Sequence, residues 1–303
     1  MNPIVVGVDG GAQGMRALDW AAAEATLRRA ALQIVFGRSL QSVVPSPRMA
    51  GAPELYVPDD WAATADRELA GAATRAGERA PGIEISVRRE PIDPGQLLVE
   101  LSESAQLVVL GSRGLGGVAG LLLGSVSRYV AGHASSPVVV VGAEPGSLRG
   151  PEQPPEILLG VDGHAPAMSA IEFAFAEASL RGIRLRALHA WTHQPAGSAE
   201  QVGSDARPDA AAHELARLTA QEQARLLADA LAGWREEYPD VRVHADTRQE
   251  SPARILIELS GQAELLVVGA HHRTHRIGPA LGVVNHAVLH YALCPVALVP
   301  DRE

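Results

Sequence analysis

The sequence predicts an α/β protein of two tandem, doubly wound domains. Three observations carry that expectation: an internal repeat spanning nearly the whole chain, short apolar runs alternating with helical segments, and a core composition poor in rings. Of 303 residues, 47% are hydrophobic but only 4% aromatic. A core of Val, Leu, Ile and Ala suits parallel strands covered on both faces by helices. The length is about twice that of a typical single-core domain, in keeping with two units.

The repeat opens each half. Val6-Gly7-Val8-Asp9-Gly10 returns as Leu159-Gly160-Val161-Asp162-Gly163, an offset of 153. The same offset relates Asp19-Trp20-Ala21 and Glu24-Ala25 to Glu172-Phe173-Ala174 and Glu177-Ala178, in what reads as the first helix of each half. Farther on, Pro94, Leu101, Gly111, Gly124 and Pro137 meet Pro252, Leu259, Gly269, Gly282 and Pro295 at an offset of 158, so the second half carries five extra residues in its middle. Self-similarity of this kind marks repeated structural units. The Pro/Gly-rich run from Gly142 to Pro155 reads as a connection. The expected organisation is a first domain over 1–145, a linker over 146–155 and a second domain over 156–303.

Within the first half the apolar runs Ile4 to Val8, Leu32 to Phe36, Ile83 to Arg88, Leu107 to Leu110 and Val138 to Val141 are expected strands. A Pro-, Ser- and Gly-rich stretch from Ser39 to Asp60 reads as a loop leading into a helix over about 60–80. In the second half, residues from about Ala210 to Tyr238 read as a long amphipathic helix with Leu215, Leu218, Leu227, Leu231 and Trp234 on one side. Strands alternating with helices imply βαβ units and a parallel sheet, whose ligands sit beyond the carboxyl ends of the strands at the switch in strand order. Asp9 and Gly111 each follow such a strand. The closing runs Val138 to Val141 and Val296 to Val299 can pair within one molecule, satisfying two sheet edges at once. Dimerisation of the whole chain is left open.

Composition excludes several functions. All 26 basic residues are Arg, so neither a lysine-bearing P-loop nor Schiff-base chemistry can be built. A net charge of −9 argues against a general nucleic-acid binder. The single cysteine, Cys294, excludes an intrachain disulfide and reads as a buried small hydrophobe. No apolar stretch reaches the ~20 residues that span a bilayer, and the first residues lack a basic region and cleavage site. A cytoplasmic location without membrane contact is expected.

The segment Gly111-Ser112-Arg113-Gly114-Leu115-Gly116-Gly117-Val118-Ala119-Gly120-Leu121-Leu122-Leu123-Gly124-Ser125 follows a strand and precedes a helix over about 126–132. Glycines let backbone amides approach a phosphate, and a helix N-terminus adds further N–H donors. Ser125 adds a hydroxyl, so a triphosphate can be held without Lys. The plainer alternative is a glycine-rich loop that only turns the chain; its place between strand and helix, beside Asp9, favours phosphate or nucleotide binding.

The spacing Gly111-x2-Gly114-x9-Gly124-Ser125 resembles the ATP-binding pattern of the universal stress protein family. Each half is similar to one such domain, including the opening Val-Asp-Gly and the closing Ser136-Pro137-Val138-Val139-Val140 and Cys294-Pro295-Val296. The resemblance implies a five-stranded parallel sheet per half, Rossmann-like and of the adenine nucleotide α-hydrolase-like type, binding ATP with or without Mg2+ across its carboxyl edge. By the same resemblance, Asp9 and Gly111 contact the ribose, and Gly37, after Phe36, lines the adenine pocket. Gly114, Gly124 and Ser125 hold the phosphates, with Arg113 and Gly117 of the same loop also counted as nucleotide-binding.

The matching loop of the second half runs from Gly269 to Val283. His272 replaces the second glycine and Val283 the hydroxyl residue, while Asn285 and His286 stand where the first half has Ser127 and Arg128. What remains of a second site is Asp162, Ala190, Gly269 and Gly282, and altered, weak or absent ATP binding is expected there. His271, His272 and His275 lie beside Arg273 and Arg276 with no carboxylate nearby, a set that suits an anion better than a metal. No catalytic triad or paired acid is recognisable, so no catalytic residue is assigned and turnover is expected to be slow or absent. The favoured reading is a stress-response protein whose nucleotide occupancy alters its shape or partners. A slow ATP hydrolase and an interaction module with vestigial sites stand as alternatives.

Overall fold

The computed structural model describes residues 2–37, 61–112, 123–142, 154–163, 165–192, 210–270 and 281–301, the side chains of 61 and 210–216 excepted. The first half runs β1 (Ile4–Gly7), α1 (Ala12–Arg28), β2 (Leu32–Gly37), α2 (Trp61–Arg79), β3 (Ile85–Glu90), α3 (Pro94–Ser102), β4 (Leu107–Gly111), α4 (Ser125–His133) and β5 (Val138–Val141). The second repeats it as β6 (Glu156–Gly160), α5 (Met168–Arg181), β7 (Arg184–Ala190), α6 (Ala210–Glu237), β8 (Val243–Arg248), α7 (Pro252–Ser260), β9 (Leu265–Ala270), α8 (Val283–Tyr291) and β10 (Val296–Pro300). Among the described residues no helix is long and apolar enough to cross a membrane.

The ten strands of the described residues form one sheet in the order β3-β2-β1-β4-β5-β10-β9-β6-β7-β8. Each half is parallel throughout, and the halves join by one antiparallel pair in which Val138, Val139 and Val140 of β5 face Leu298, Ala297 and Val296 of β10. Four consecutive valines fit β5 to this place, because β-branched residues suit a pleated strand buried on both faces. The join removes the two edges that would otherwise expose unpaired backbone.

Side chains leave successive strand residues to opposite faces. Val139 and Val141 therefore enter a core with Leu18 of α1 and Phe175 of α5, while Val138 and Val140 enter a second core with Leu97 of α3 and Val288 of α8. Both cores run continuously through the two halves.

Two sequence expectations shift. β3 begins at Ile85 rather than Ile83, because Gly82 adopts φ +91 and the Ile83 amide turns back to the Ala80 carbonyl. On α6, Leu227 and Leu231 are fully buried but Leu218 is 50% exposed. With 28 residues, this helix is roughly 42 Å long and exceeds the strands it covers, so its earlier turns overhang them.

The halves also meet through α1 and α5. Glu24 and Glu177 are 2% and 1% exposed and occupy equivalent positions in the repeat, as do Arg28 and Arg181. Arg28 pairs with Glu24 at 2.6 Å and with Glu177, and Arg181 pairs with Glu177 and Glu24. Each guanidinium thus bridges its own half to the other in a neutral ring of four charges. Burial, then the Glu24 carboxylate, pushes Glu177 up to about 7 against the pull of the two arginines.

Candidate functional site

In the strand order of the first half, β1 and β4 are neighbours whose onward connections run in opposite directions, which makes their carboxyl ends the topological switch point. Asp9 follows β1 and Gly111 ends β4. The Asp9 carboxylate accepts the Gly11 amide at 2.9 Å, and Gly10 between them takes φ +80. That turn delivers the chain into α1 with its first residues against β4. A Cβ on Gly111 would lie 2.8 Å from the Gln13 carbonyl carbon, and one on Gly14 2.8 Å from Asp9 Oδ1. Gly111 is thus required for close backbone approach and Gly14 leaves room for the Asp9 carboxylate, whatever else they contact.

The glycine-rich loop is clasped at its base. The Gly124 amide donates to the Ser112 carbonyl at 2.6 Å, the Ser112 amide donates to Val141 at 2.9 Å, and Ser127 Oγ donates to the Gly111 carbonyl at 2.7 Å. Entry and exit of the loop are therefore held together on the end of β4. Gly124 is the N-cap of α4 in extended conformation and has no side chain with which to cap it, so Ser125 and the first turn of α4 follow directly on the clasp. Arg113, Gly114 and Gly117 lie outside the described residues. Gly37 ends β2, one strand farther along, where a Cβ would meet Pro94 Cα at 2.8 Å, so packing against the start of α3 requires glycine there.

In the second half, Asp162, Ala190, Gly269 and Gly282 line one cavity of about 460 Å³, together with His189 and Asn285. His271, His272 and His275 lie outside the described residues. Val283, in the place of Ser125, is 85% exposed. One apparent loss of chemistry is in fact conservation of a bond: Asn285 Nδ2 donates to the Gly269 carbonyl at 2.8 Å, the same anchorage that Ser127 gives Gly111. A longer amide replaces a short hydroxyl in the same role.

His189 is the residue that sequence reasoning missed. It is buried, with Nε2 2.7 Å from Gln223 Oε1 and Nδ1 2.9 Å from the Val161 carbonyl and 3.2 Å from the Gly163 amide. A Cβ on Gly163 would strike its ring at 2.8 Å. The repeat places it opposite Phe36, so the available signal was a polar ring at a position apolar in the other half. Gln223 could not be tied to it from sequence, since it lies on α6 after the five-residue insertion.

Comparison with known proteins agrees with this architecture. The model of the universal stress protein family matches twice, over residues 1–142 and 155–300. A universal stress protein of Mycobacterium tuberculosis is 36% identical over 300 residues, covering 97% of this chain and 95% of its own. One from Mycolicibacterium smegmatis is 36% identical over 301 residues, covering 99% and 97%. The crystal structure of a universal stress protein from Archaeoglobus fulgidus shares the fold, with a TM-score of 0.69 at 16% identity over 100% of this chain and 97% of that chain. Matched in both halves and along its length by full-length relatives, the chain belongs to the universal stress protein family as a tandem two-domain member.

Proposed function

We propose that the first half binds ATP at the carboxyl ends of β1 and β4, and that occupancy of this site alters the conformation or the partners of a cytoplasmic stress-response protein. The observation that carries the reading is the clasped loop: Ser112 and Gly124 are bonded at its base, and the first turn of α4 begins directly after that bond. Such an arrangement supplies fixed N–H donors to a phosphate chain, and Asp9 at the adjacent strand end supplies an acceptor for ribose hydroxyls. Gly37, Arg113, Gly114, Gly117 and Ser125 complete the proposed binding set. These donors fit an adenine nucleotide; toward Mg2+, the described residues offer no group of three His, Cys, Asp or Glu side chains.

The second half takes the lesser role in this reading. Asp162 and the Asn285 anchorage persist, but Val283 contributes no hydroxyl at the first turn of α8. ATP is therefore held mainly in the first half. Occupancy can act on the rest of the molecule only through states that differ in affinity for the nucleotide. Calorimetric titration of nucleotide-free protein tests the proposal. One ATP per chain is expected, with binding lost in Gly114→Val and weakened about tenfold or more in Asp9→Ala. Undiminished binding in Gly114→Val, or none in the parent protein, overturns it.

A further inference from the structure

The pseudo-twofold relation between the halves puts α4 and α8 on one face of the sheet. Arg128 and His286 occupy equivalent positions in the repeat, and both line one cleft of about 610 Å³. The cleft also takes in Ser125 at the start of α4, His133 at its end, Asp93 at the start of α3 and Leu281 before α8. An arginine and a histidine side chain from different halves thus face a common space.

Among the described residues, no carboxylate lies within ion-pair distance of Arg128, His133 or His286, all three of them exposed. Asp93 is the one acid on the lining, and its Oδ1 is already engaged by the Gly95 and Gln96 amides at 2.9 and 3.2 Å, as the N-cap of α3. His133 directs Nδ1 to the Tyr129 carbonyl at 2.8 Å, which leaves Nε2 as its other hydrogen-bonding nitrogen. The neighbouring His290 is held below the ordinary imidazole value by burial, then by His286 and Arg128. A guanidinium, imidazole nitrogens and the Ser125 hydroxyl facing one cleft can each donate a hydrogen bond to phosphate oxygens.

We propose that this cleft is a phosphate-binding site built jointly by the two halves, in which Arg128 of α4 and His286 of α8 hold a phosphate group beside Ser125. The group belongs either to the outer phosphates of the nucleotide in the first half or to a separate phosphate compound. The first source rests on the nucleotide reading above; the second does not. In either case, filling the cleft ties α4 to α8 and gives the second half a direct contact with the ligand.

Inorganic pyrophosphate, ATP and AMP, each titrated calorimetrically into the full chain, distinguish the sources, with Arg128→Ala and His286→Ala measured alongside. Arg128 and His286 are exposed, so their alanine variants are expected to fold. If the ligand is separate, pyrophosphate binds and each alanine variant weakens it about tenfold, while ATP affinity in both alanine variants equals that of the parent. If it is the nucleotide's own tail, ATP binds more tightly than AMP, and both alanine variants reduce that preference about tenfold while AMP affinity stays constant. Failure of both nucleotides to bind, with pyrophosphate still responding to both alanine variants, overturns the nucleotide reading and leaves the cleft standing. The proposal is overturned if none of the three compounds responds to either alanine substitution. It is equally overturned if Arg128→Ala acts while His286→Ala has no effect, because the site then belongs to one half.

Discussion

Removal of one arginine from the ring of four charges between α1 and α5 is predicted to weaken the whole chain. In Arg181→Ala, Glu24 and Glu177 remain buried with only Arg28 to serve both. Breaking a buried ion pair from one side costs about 3–5 kcal/mol, since the surviving charge keeps its desolvation penalty and loses its compensation. The lower end applies here, because Arg181 retains 12% of its side-chain exposure and Glu177 can take up a proton. A loss of about 3 kcal/mol in urea unfolding is therefore expected, with a similar loss in Arg28→Ala, which also removes the guanidinium stacked 5.7 Å over the Phe173 ring. Replacing all four charges by Met and Leu of similar volume is expected to fall within about 1 kcal/mol of the parent, because no charge is then left unpaired.

The pH dependence follows from the same group. Glu177 is raised from 4.5 to about 7 in the folded protein, so its favourable contribution is complete below about 4.5 and is lost as the pH rises through 7. The parent protein should lose stability from this group between pH 5 and pH 8, and Glu177→Gln should flatten that slope. The cost of Arg181→Ala should be smaller at pH 5, where a protonated Glu177 needs its partner less. A loss below about 1 kcal/mol at pH 8 in Arg181→Ala would refute the argument and class the ring with ordinary surface ion pairs.

Three further outcomes are expected. Arg29 closes α1 at φ 53, a left-handed conformation that Gly182 supplies at the equivalent end of α5; Arg29→Gly should raise stability in urea by about 1 kcal/mol. Ser127→Ala and Asn285→Ala each remove the side-chain bond to the end of β4 or β9, and each should cost about 1 kcal/mol by the same assay. The Cys294 thiol is buried and pushed up to about 12, so an aromatic disulfide reagent at pH 8 should leave it unmodified in the native protein and label it once per chain in urea.

Much of the fold was legible because the repeat and the apolar runs report burial directly. The runs Val138 to Val141 and Val296 to Val299 read as closing strands able to pair with one another, and β5 and β10 do pair. Boundaries shifted where a local turn took over, as at Gly82. The ring of charges was hidden for a different reason: Glu24 and Arg28, or Glu177 and Arg181, are spaced four apart like any solvated helical ion pair. Only the approach of α1 to α5 buries them. Asn285 looked like lost chemistry because residue type was compared without reach, and its amide makes the bond that the Ser127 hydroxyl makes in the first half. His189 lies on a strand whose partner residue, Gln223, arrives from a helix 34 residues later. Of the first site, Asp9, Gly37, Gly111, Gly124 and Ser125 fall on the strand ends and helix start that the sequence placed them on. Arg113, Gly114 and Gly117 remain assigned by sequence.

A crystal structure of the full chain grown with ATP tests the central claim most directly. The account predicts nucleotide density in the first half, with the ribose beside Asp9 and the phosphates at the first turn of α4, and weaker or no density in the cavity beside Asp162. Nucleotide bound only in the second half, or adenine nucleotide seated away from the ends of β1 and β4, would contradict it.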